Sequence, residues 1–85
     1  MSVKVTVKLY ATLSDYLPAD ARNNRVEVEV VETATVDAVL KPFLLPPKLV
    51  HLVLVNGTYI PPEARACAVL RENDALAVWP PIAGG

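Results

Sequence analysis

The sequence has only three glycines among 85 residues, and their positions exclude most glycine-dependent sites. Gly57 stands alone in mid-chain, whereas Gly84 and Gly85 end the sequence. A phosphate-binding loop needs several glycines within a few residues, because its backbone must approach the phosphate closely. A glycine-rich nucleotide site is therefore excluded.

Catalytic and metal-binding side chains are equally scarce, with one cysteine and one histidine. A single cysteine excludes an internal disulfide, and no acidic residues are spaced to complete a zinc site. His51 lies in an apolar segment without a catalytic companion, so we expect a structural or partner-facing role. We expect Cys67 to behave as a small buried hydrophobe. The side chains alone indicate no enzyme, no metal and no bound cofactor.

Clustered positive charge and long apolar runs are also missing. The sequence has eight basic and nine acidic residues, for a net charge of −1. It contains no block of basic residues that would favour nucleic acid as a partner. The apolar runs fall far short of the ~20 residues that cross a bilayer, and the first residues alternate Val with Lys, unlike a secretory signal. We expect a cytoplasmic protein without membrane contact.

The remaining composition fits one small domain, since 53% of the residues are hydrophobic. Eight prolines, including three adjacent pairs, exclude a long helix or coiled coil. Residues 3–10 and 25–31 alternate apolar with polar side chains and predict two strands. Lysines lie on the polar face of the first and glutamates on that of the second, so pairing them as neighbours would help to fix the register. Residues 11–24 between them predict one helical turn and a polar loop.

A short helix is predicted after the second strand. Its apolar stripe has helical spacing and consists of Val36, Val39, Leu40 and Phe43. Thr35 is the candidate N-cap, and Asp37 lies in the first turn. Pro42 should end or kink this helix near Lys41, because proline lacks the amide hydrogen of a helix interior.

Three further strands complete the predicted fold. Residues 49–55 are nearly all apolar and indicate a central strand covered on both faces, and Asn56-Gly57 predicts a tight turn into residues 58–60. Residues 75–79 form the last predicted strand, after a polar turn at 71–74. This order favours an α+β domain, a mixed sheet with one main helix packed across one face.

The end of the sequence is unusual in shape. The strand is followed by residues that become steadily smaller: Trp79, Pro80, Pro81, Ile82, Ala83, Gly84 and Gly85. The prolines favour an extended exit, and the segment can reach roughly 20 Å. A terminal carboxylate in a narrow slot is a poor electrophile until adenylyl transfer from ATP converts it to a mixed anhydride. Two terminal glycines alone would instead favour an ordinary frayed end.

Three segments resemble the MoaD/ThiS family of ubiquitin-like sulfur carriers, and most closely the small subunits of molybdopterin synthase. They are residues 55–57 (VNG), 70–74 (LREND) and 77–85 (AVWPPIAGG). The order of elements matches along the whole chain, but only the last nine residues are specific. Trp79 stands where the family more often has Phe, and Asn73-Asp74 replaces the usual Gly-Asp turn.

The resemblance implies a β-grasp domain at residues 1–79 and an extended tail at 80–85. It implies that an E1-like enzyme of the MoeB/ThiF type uses ATP to adenylate Gly85, which then becomes a thiocarboxylate. Gly84 would give access to the carbonyl, and the segment from Trp79 to Ala83 would thread through the partner. The sulfur would pass to a precursor in molybdopterin or tungstopterin synthesis, with a large subunit of the MoaE type as second partner.

Three alternatives remain open at this point. The sulfur could serve thiamine or another pathway, because the tail does not specify the recipient. The same activated carboxylate could be attacked by lysine amines, as in a ubiquitin-like protein modifier. A pure docking domain would use its sheet face and would keep its activity without Gly84 and Gly85.

Overall fold

The computed structural model describes residues 2–81, which form a five-stranded mixed sheet with a short α-helix on one face. The elements are β1 (Ser2–Leu9), β2 (Arg25–Val31), α1 (Val36–Leu40), β3 (Leu52–Val55), β4 (Thr58–Tyr59) and β5 (Ala75–Trp79). The strand order is β2-β1-β5-β3-β4, with β1 and β5 parallel and every other pair antiparallel. Short 3₁₀ turns lie at Ala11–Tyr16, Lys41–Phe43, Pro47–Leu49 and Pro62–Ala64. The predicted α+β architecture is confirmed.

The core lies between α1 and one face of the sheet, here called the inner face. Its fully buried side chains come from the sheet, from α1 and from two connecting segments: Val5, Val7, Leu9, Leu13, Val36, Val53, Leu70, Leu76 and Val78. The alternation predicted for β1 is confirmed, because every second residue from position 5 is buried.

The polar register of β1 and β2 was predicted correctly at one pair and wrongly at another. Lys4 lies opposite Glu29, as the charge pattern indicated. Lys8 lies opposite Arg25, so this pair brings like charges together. The difference arises because β2 begins with a basic residue, and the valine alternation fixes the register whatever stands opposite.

Helix α1 begins and ends where its capping residues predict. The Thr35 hydroxyl accepts a hydrogen bond from the Ala38 amide at 3.2 Å. The helix ends at Leu40, and a 3₁₀ turn containing Pro42 follows. Leu44 then adopts a left-handed conformation with φ 56°, which ends the helical segment.

Residues 49–55 were predicted to form a central strand covered on both faces; Leu52–Val55 do form a strand paired on both sides, but its outer face is not fully covered. The centre of the sheet is β5, and β3 lies next to the edge strand β4. Within β3 only Val53 is buried, whereas Leu52 and Leu54 are half-buried. The inner side of the strand meets the core. Its outer side is also apolar, but it remains partly exposed to solvent.

Left-handed residues lie in the turn that joins β3 to β4 and in the turn that immediately precedes β5. Asn56 and Gly57 have φ 51° and 85°, which confirms the tight turn. The side-chain amide of Asn56 donates to Asp74 Oδ1 at 2.8 Å. The Oδ1 of Asn56 accepts from the backbone amide of Ala75 at 2.9 Å. Asn73 has φ 69°, a conformation that asparagine tolerates better than most residues. Among the helices of residues 2–81, none is long and apolar enough to span a bilayer.

Candidate functional site

The end of β5 is held on both sides up to its last residue, Trp79. The Tyr10 amide donates to the Val78 carbonyl at 3.1 Å, on the β1 side. The His51 amide donates to the Trp79 carbonyl at 3.1 Å, on the β3 side. The rings of Tyr10 and Trp79 stack with centroids 4.4 Å apart and planes 5° from parallel. The chain therefore leaves the sheet at Pro80 from a fixed point.

The face of the sheet opposite the core, here called the outer face, is apolar around this exit point. Strand pairing places Leu52 beside Trp79, and Leu54 beside both Ala77 and Tyr59. These residues alternate with buried core residues and therefore point to the outer face. Leu52 and Leu54 are half-buried and Tyr59 is 50% exposed. We call these five residues, together with Tyr10, the apolar half of the outer face.

The other half of the outer face is charged. It consists of alternating residues of β1 and β2, here called the charged half: Lys4, Thr6, Lys8, Arg25, Glu27 and Glu29. Glu29 accepts a hydrogen bond from the Ser2 hydroxyl at 3.0 Å. Apart from Val31, which is exposed at the end of β2, the partly exposed apolar side chains of the outer face lie on the side where β5 ends.

The predicted site residues divide between described and undescribed parts of the chain. Trp79 and Pro80 are half-buried and Pro81 is exposed. Ile82, Ala83, Gly84 and Gly85 lie outside the described residues, so their roles remain predictions. The division into a domain at 1–79 and a tail at 80–85 also remains a prediction.

A buried arginine supports the exit point, and the sequence analysis did not identify it. Arg65 is only 7% exposed. Its guanidinium donates to the carbonyls of Ile60 at 3.1 Å, His51 at 3.2 Å and Val50 at 3.4 Å. Arg65 thus fixes the backbone of His51, whose amide holds Trp79. An arginine between two alanines gives no pattern that distinguishes this role from a solvated surface position.

The two residues considered for catalysis are both exposed. His51 lies beside the end of β5, and its predicted structural or partner-facing role stays a prediction. The prediction that Cys67 is buried is wrong, because it lies at the surface in a turn where its amide donates to the Ala64 carbonyl at 3.0 Å. Throughout residues 2–81 no group of three histidine, cysteine or acidic side chains is placed to hold a metal ion.

Comparison with known proteins gives a family and a fold. The model of the family described as Mut7-C ubiquitin matches residues 2–83. The structure is similar to the HVO 2177 protein of Haloferax volcanii (24% identity, 99% of this chain and 88% of that chain, TM-score 0.74). It is also similar to small archaeal modifier protein 1 of the same organism (26%, 94% and 99%, TM-score 0.65).

A third similar structure is that of a putative molybdopterin converting factor, subunit 1, from Pyrococcus furiosus (23% identity, 94% of this chain and 99% of that chain, TM-score 0.62). No curated protein matches the chain. The likenesses confirm the ubiquitin-like β-grasp fold that the resemblance to the MoaD/ThiS family implies.

Proposed function

Because the chain belongs to the Mut7-C ubiquitin family, we propose that it is a ubiquitin-like carrier whose Gly85 carboxylate is activated by an E1-like enzyme. The observation that carries the proposal is the tapering segment 80–85, which follows directly on the fixed end of β5. In this proposal the folded β-grasp domain is the part that the partner recognises, and it presents the tail for activation. The proposal requires Gly85 to be the last residue of the working protein.

The chemistry needs no catalytic side chain from this protein. The Gly85 carboxylate attacks the α-phosphate of ATP, releasing pyrophosphate and forming an acyl adenylate. A sulfide-level donor supplied by the partner then attacks the carbonyl carbon and displaces AMP, leaving a thiocarboxylate. Glycine suits both steps because it has no side chain to block the carbonyl or the partner's amide donors.

The apolar half of the outer face is the surface that we assign to partner docking. It borders Pro80, where the chain leaves the sheet, so a partner bound there lies next to the start of the tail. Exposed apolar patches of this kind mark interaction sites, because leaving them in water is unfavourable. The stacked rings of Tyr10 and Trp79 supply a large, rigid contact area at its border with the tail exit.

We further propose that the sulfur enters molybdopterin or tungstopterin biosynthesis, with this chain as the small subunit of molybdopterin synthase. The proposed partners are an adenylating enzyme of the MoeB/ThiF type, which uses ATP, and a large subunit of the MoaE type. Support comes from the tail pattern at residues 77–85 and from the likeness to the putative converting factor subunit.

Protein conjugation is the second candidate function. It is favoured by the similarity to small archaeal modifier protein 1, which covers 94% of this chain and 99% of the modifier protein. A lysine amine would attack the same acyl adenylate, or a thioester derived from it, and form an isopeptide bond to Gly85. Adducts in a cell extract that require Gly85 and ATP would support this function.

The decisive test of the carrier function is the intact mass after incubation with the adenylating enzyme, ATP and a sulfur donor. The protein ending at Gly85 should exchange one oxygen for sulfur. A variant lacking Gly84 and Gly85, and one with a single alanine added after Gly85, should fold equally well and stay unmodified. An unchanged mass of the parent protein, with an enzyme that modifies a known carrier, would rule out the proposal.

A further inference from the structure

The sheet has two edges of very different length. Strand β4, at one edge, has two residues, whereas β2, at the other, has seven. An open edge offers unpaired amide and carbonyl groups to any extended chain. The long edge lies at the far side of the sheet from β3 and β4, so it is separate from the apolar half of the outer face.

Hydrogen bonds of β1 determine which backbone groups of β2 point outward. The Thr6 amide donates to Asp74 on the β5 side, and the Leu9 amide donates to Asn24 on the β2 side. The backbone amides and carbonyls of the odd-numbered residues of β1 therefore point toward β2. Their hydrogen-bonding partners there are the three valines at positions 26, 28 and 30. It follows that Glu27 and Glu29 direct their amides and carbonyls away from the sheet.

Both ends of this edge are already closed. Arg22 and Arg25 exchange two hydrogen bonds of 3.0 Å, and the Val31 carbonyl accepts from the Ala34 amide at 2.9 Å. Between them, the backbone groups of Glu27 and Glu29 have no partner within residues 2–81. The structure thus leaves an open window of two outward-facing residues in the middle of β2.

The side chains around this window define what it would accept. On the outer face stand the exposed carboxylates of Glu27 and Glu29. On the inner face the three valines pack against the core but remain half-buried. Strand β1 already pairs with the opposite edge of β2. It does so with valines on the inner face and with Lys4 opposite Glu29 on the outer face. The chain therefore already contains one sequence that satisfies this chemistry.

We propose that the open edge of β2 binds an extended segment of a partner protein in which apolar and basic residues alternate. The apolar residues cover the valines, the basic residues face Glu27 and Glu29, and the two backbones share a ladder. A second copy of this chain fits less well, since antiparallel pairing of β2 with itself sets glutamates against glutamates. The proposal does not depend on Gly85, so either can fail alone.

The test uses a synthetic acetylated peptide with the sequence of residues 3–9, VKVTVKL, and its charge-reversed form, VEVTVEL. Binding of the first should slow hydrogen exchange of the Glu27 and Glu29 amides, and the second should bind at least about tenfold weaker. Equal affinity for both peptides, or no protection at millimolar peptide, overturns the proposal. A dimer of the free protein, blocked by Glu27→Pro, would also overturn it.

Two variants separate the edge from the fold. In Glu27→Pro the proline removes the outward amide together with the exposed carboxylate, and neither group is hydrogen-bonded to the rest of the sheet, so the protein should fold and lose peptide binding. In the double variant E27K/E29K the preference should reverse, with VEVTVEL binding more tightly than VKVTVKL. Unchanged binding by a folded Glu27→Pro protein, or an unreversed preference in the double variant, contradicts the proposed window.

Discussion

The two halves of the outer face differ in what they do for the folded protein. In the charged half, lysine, arginine and glutamate side chains lie at the surface of β1 and β2. In the apolar half, leucine and aromatic side chains of β3, β4 and β5 remain partly exposed around the end of β5. Charged side chains are favourably solvated whether or not a partner binds the edge of β2, whereas the apolar half is favourable only when something covers it.

The largest effect is expected at Trp79, where the apolar half and the tail meet. Trp79→Ala removes the ring that stacks on Tyr10 and should lower the free energy of unfolding by about 3 kcal/mol. Trp79→Phe, which preserves a stacked ring, should lose no more than about 1 kcal/mol. Urea denaturation measures both, and equal losses would show that the stack does not anchor β5.

A smaller loss is expected at Asn56, which joins the hairpin of the apolar half to the start of β5. Asn56→Ala removes two hydrogen bonds and replaces asparagine at φ 51° by a residue that tolerates this left-handed conformation less well, so it should destabilise by about 2 kcal/mol. Asn56→Gly removes the same bonds without backbone strain and should cost about 1 kcal/mol. Thermal unfolding of the two variants tests this order; if glycine costs as much as alanine, strain at this turn is unimportant.

Charge introduced into the apolar half should affect docking more than folding. Leu54→Lys leaves the aliphatic stem on the sheet and should change the free energy of unfolding by less than about 1 kcal/mol. Its affinity for the adenylating partner should nevertheless fall by about tenfold. The matched control is Thr6→Lys in the charged half, which should bind the partner normally. Equal weakening by both would remove the distinction between the halves.

The smallest effects concern the charged half and have opposite signs. Lys4→Glu creates a like-charge pair with Glu29 and should destabilise by about 0.5 kcal/mol, whereas Lys8→Glu relieves the pair with Arg25 and should stabilise by a similar amount. Both effects should shrink in 1 M salt because these charged groups lie on the solvent-facing side of the sheet. Chemical denaturation at two salt concentrations provides the check, and effects of the same sign would contradict the register.

Periodic and capping patterns predicted most of the fold. The alternation in β1 and β2, the Thr35 cap and the stop at Pro42 depend on neighbours in sequence, so they were visible without the structure. The place of β3 in the sheet was not, because an apolar run looks the same whether a helix or a binding partner covers its second face. The role of Arg65 was hidden too, since its three acceptors lie 5 to 15 residues away in sequence.

The candidate site was predicted only in part for a related reason. Pattern recognition indicated the tail, which is a local feature of residues 77–85. The apolar half required the pairing of Leu52 with Trp79 and the stacking of Tyr10 on the same ring. Both contacts bring together residues more than 20 positions apart, and no local pattern reports them.

The most direct test of the central claim is the mass of the C-terminal tryptic peptide from protein purified from its own cells, with an alkylating reagent in the lysis buffer. Cleavage after Arg71 releases residues 72–85, which contain no cysteine, so alkylation of this peptide reports a thiocarboxylate and not Cys67. We expect a peptide ending at Gly85 with one alkylated sulfur at its carboxyl end. A chain that continues beyond Gly85, or a peptide that never carries sulfur, would contradict it.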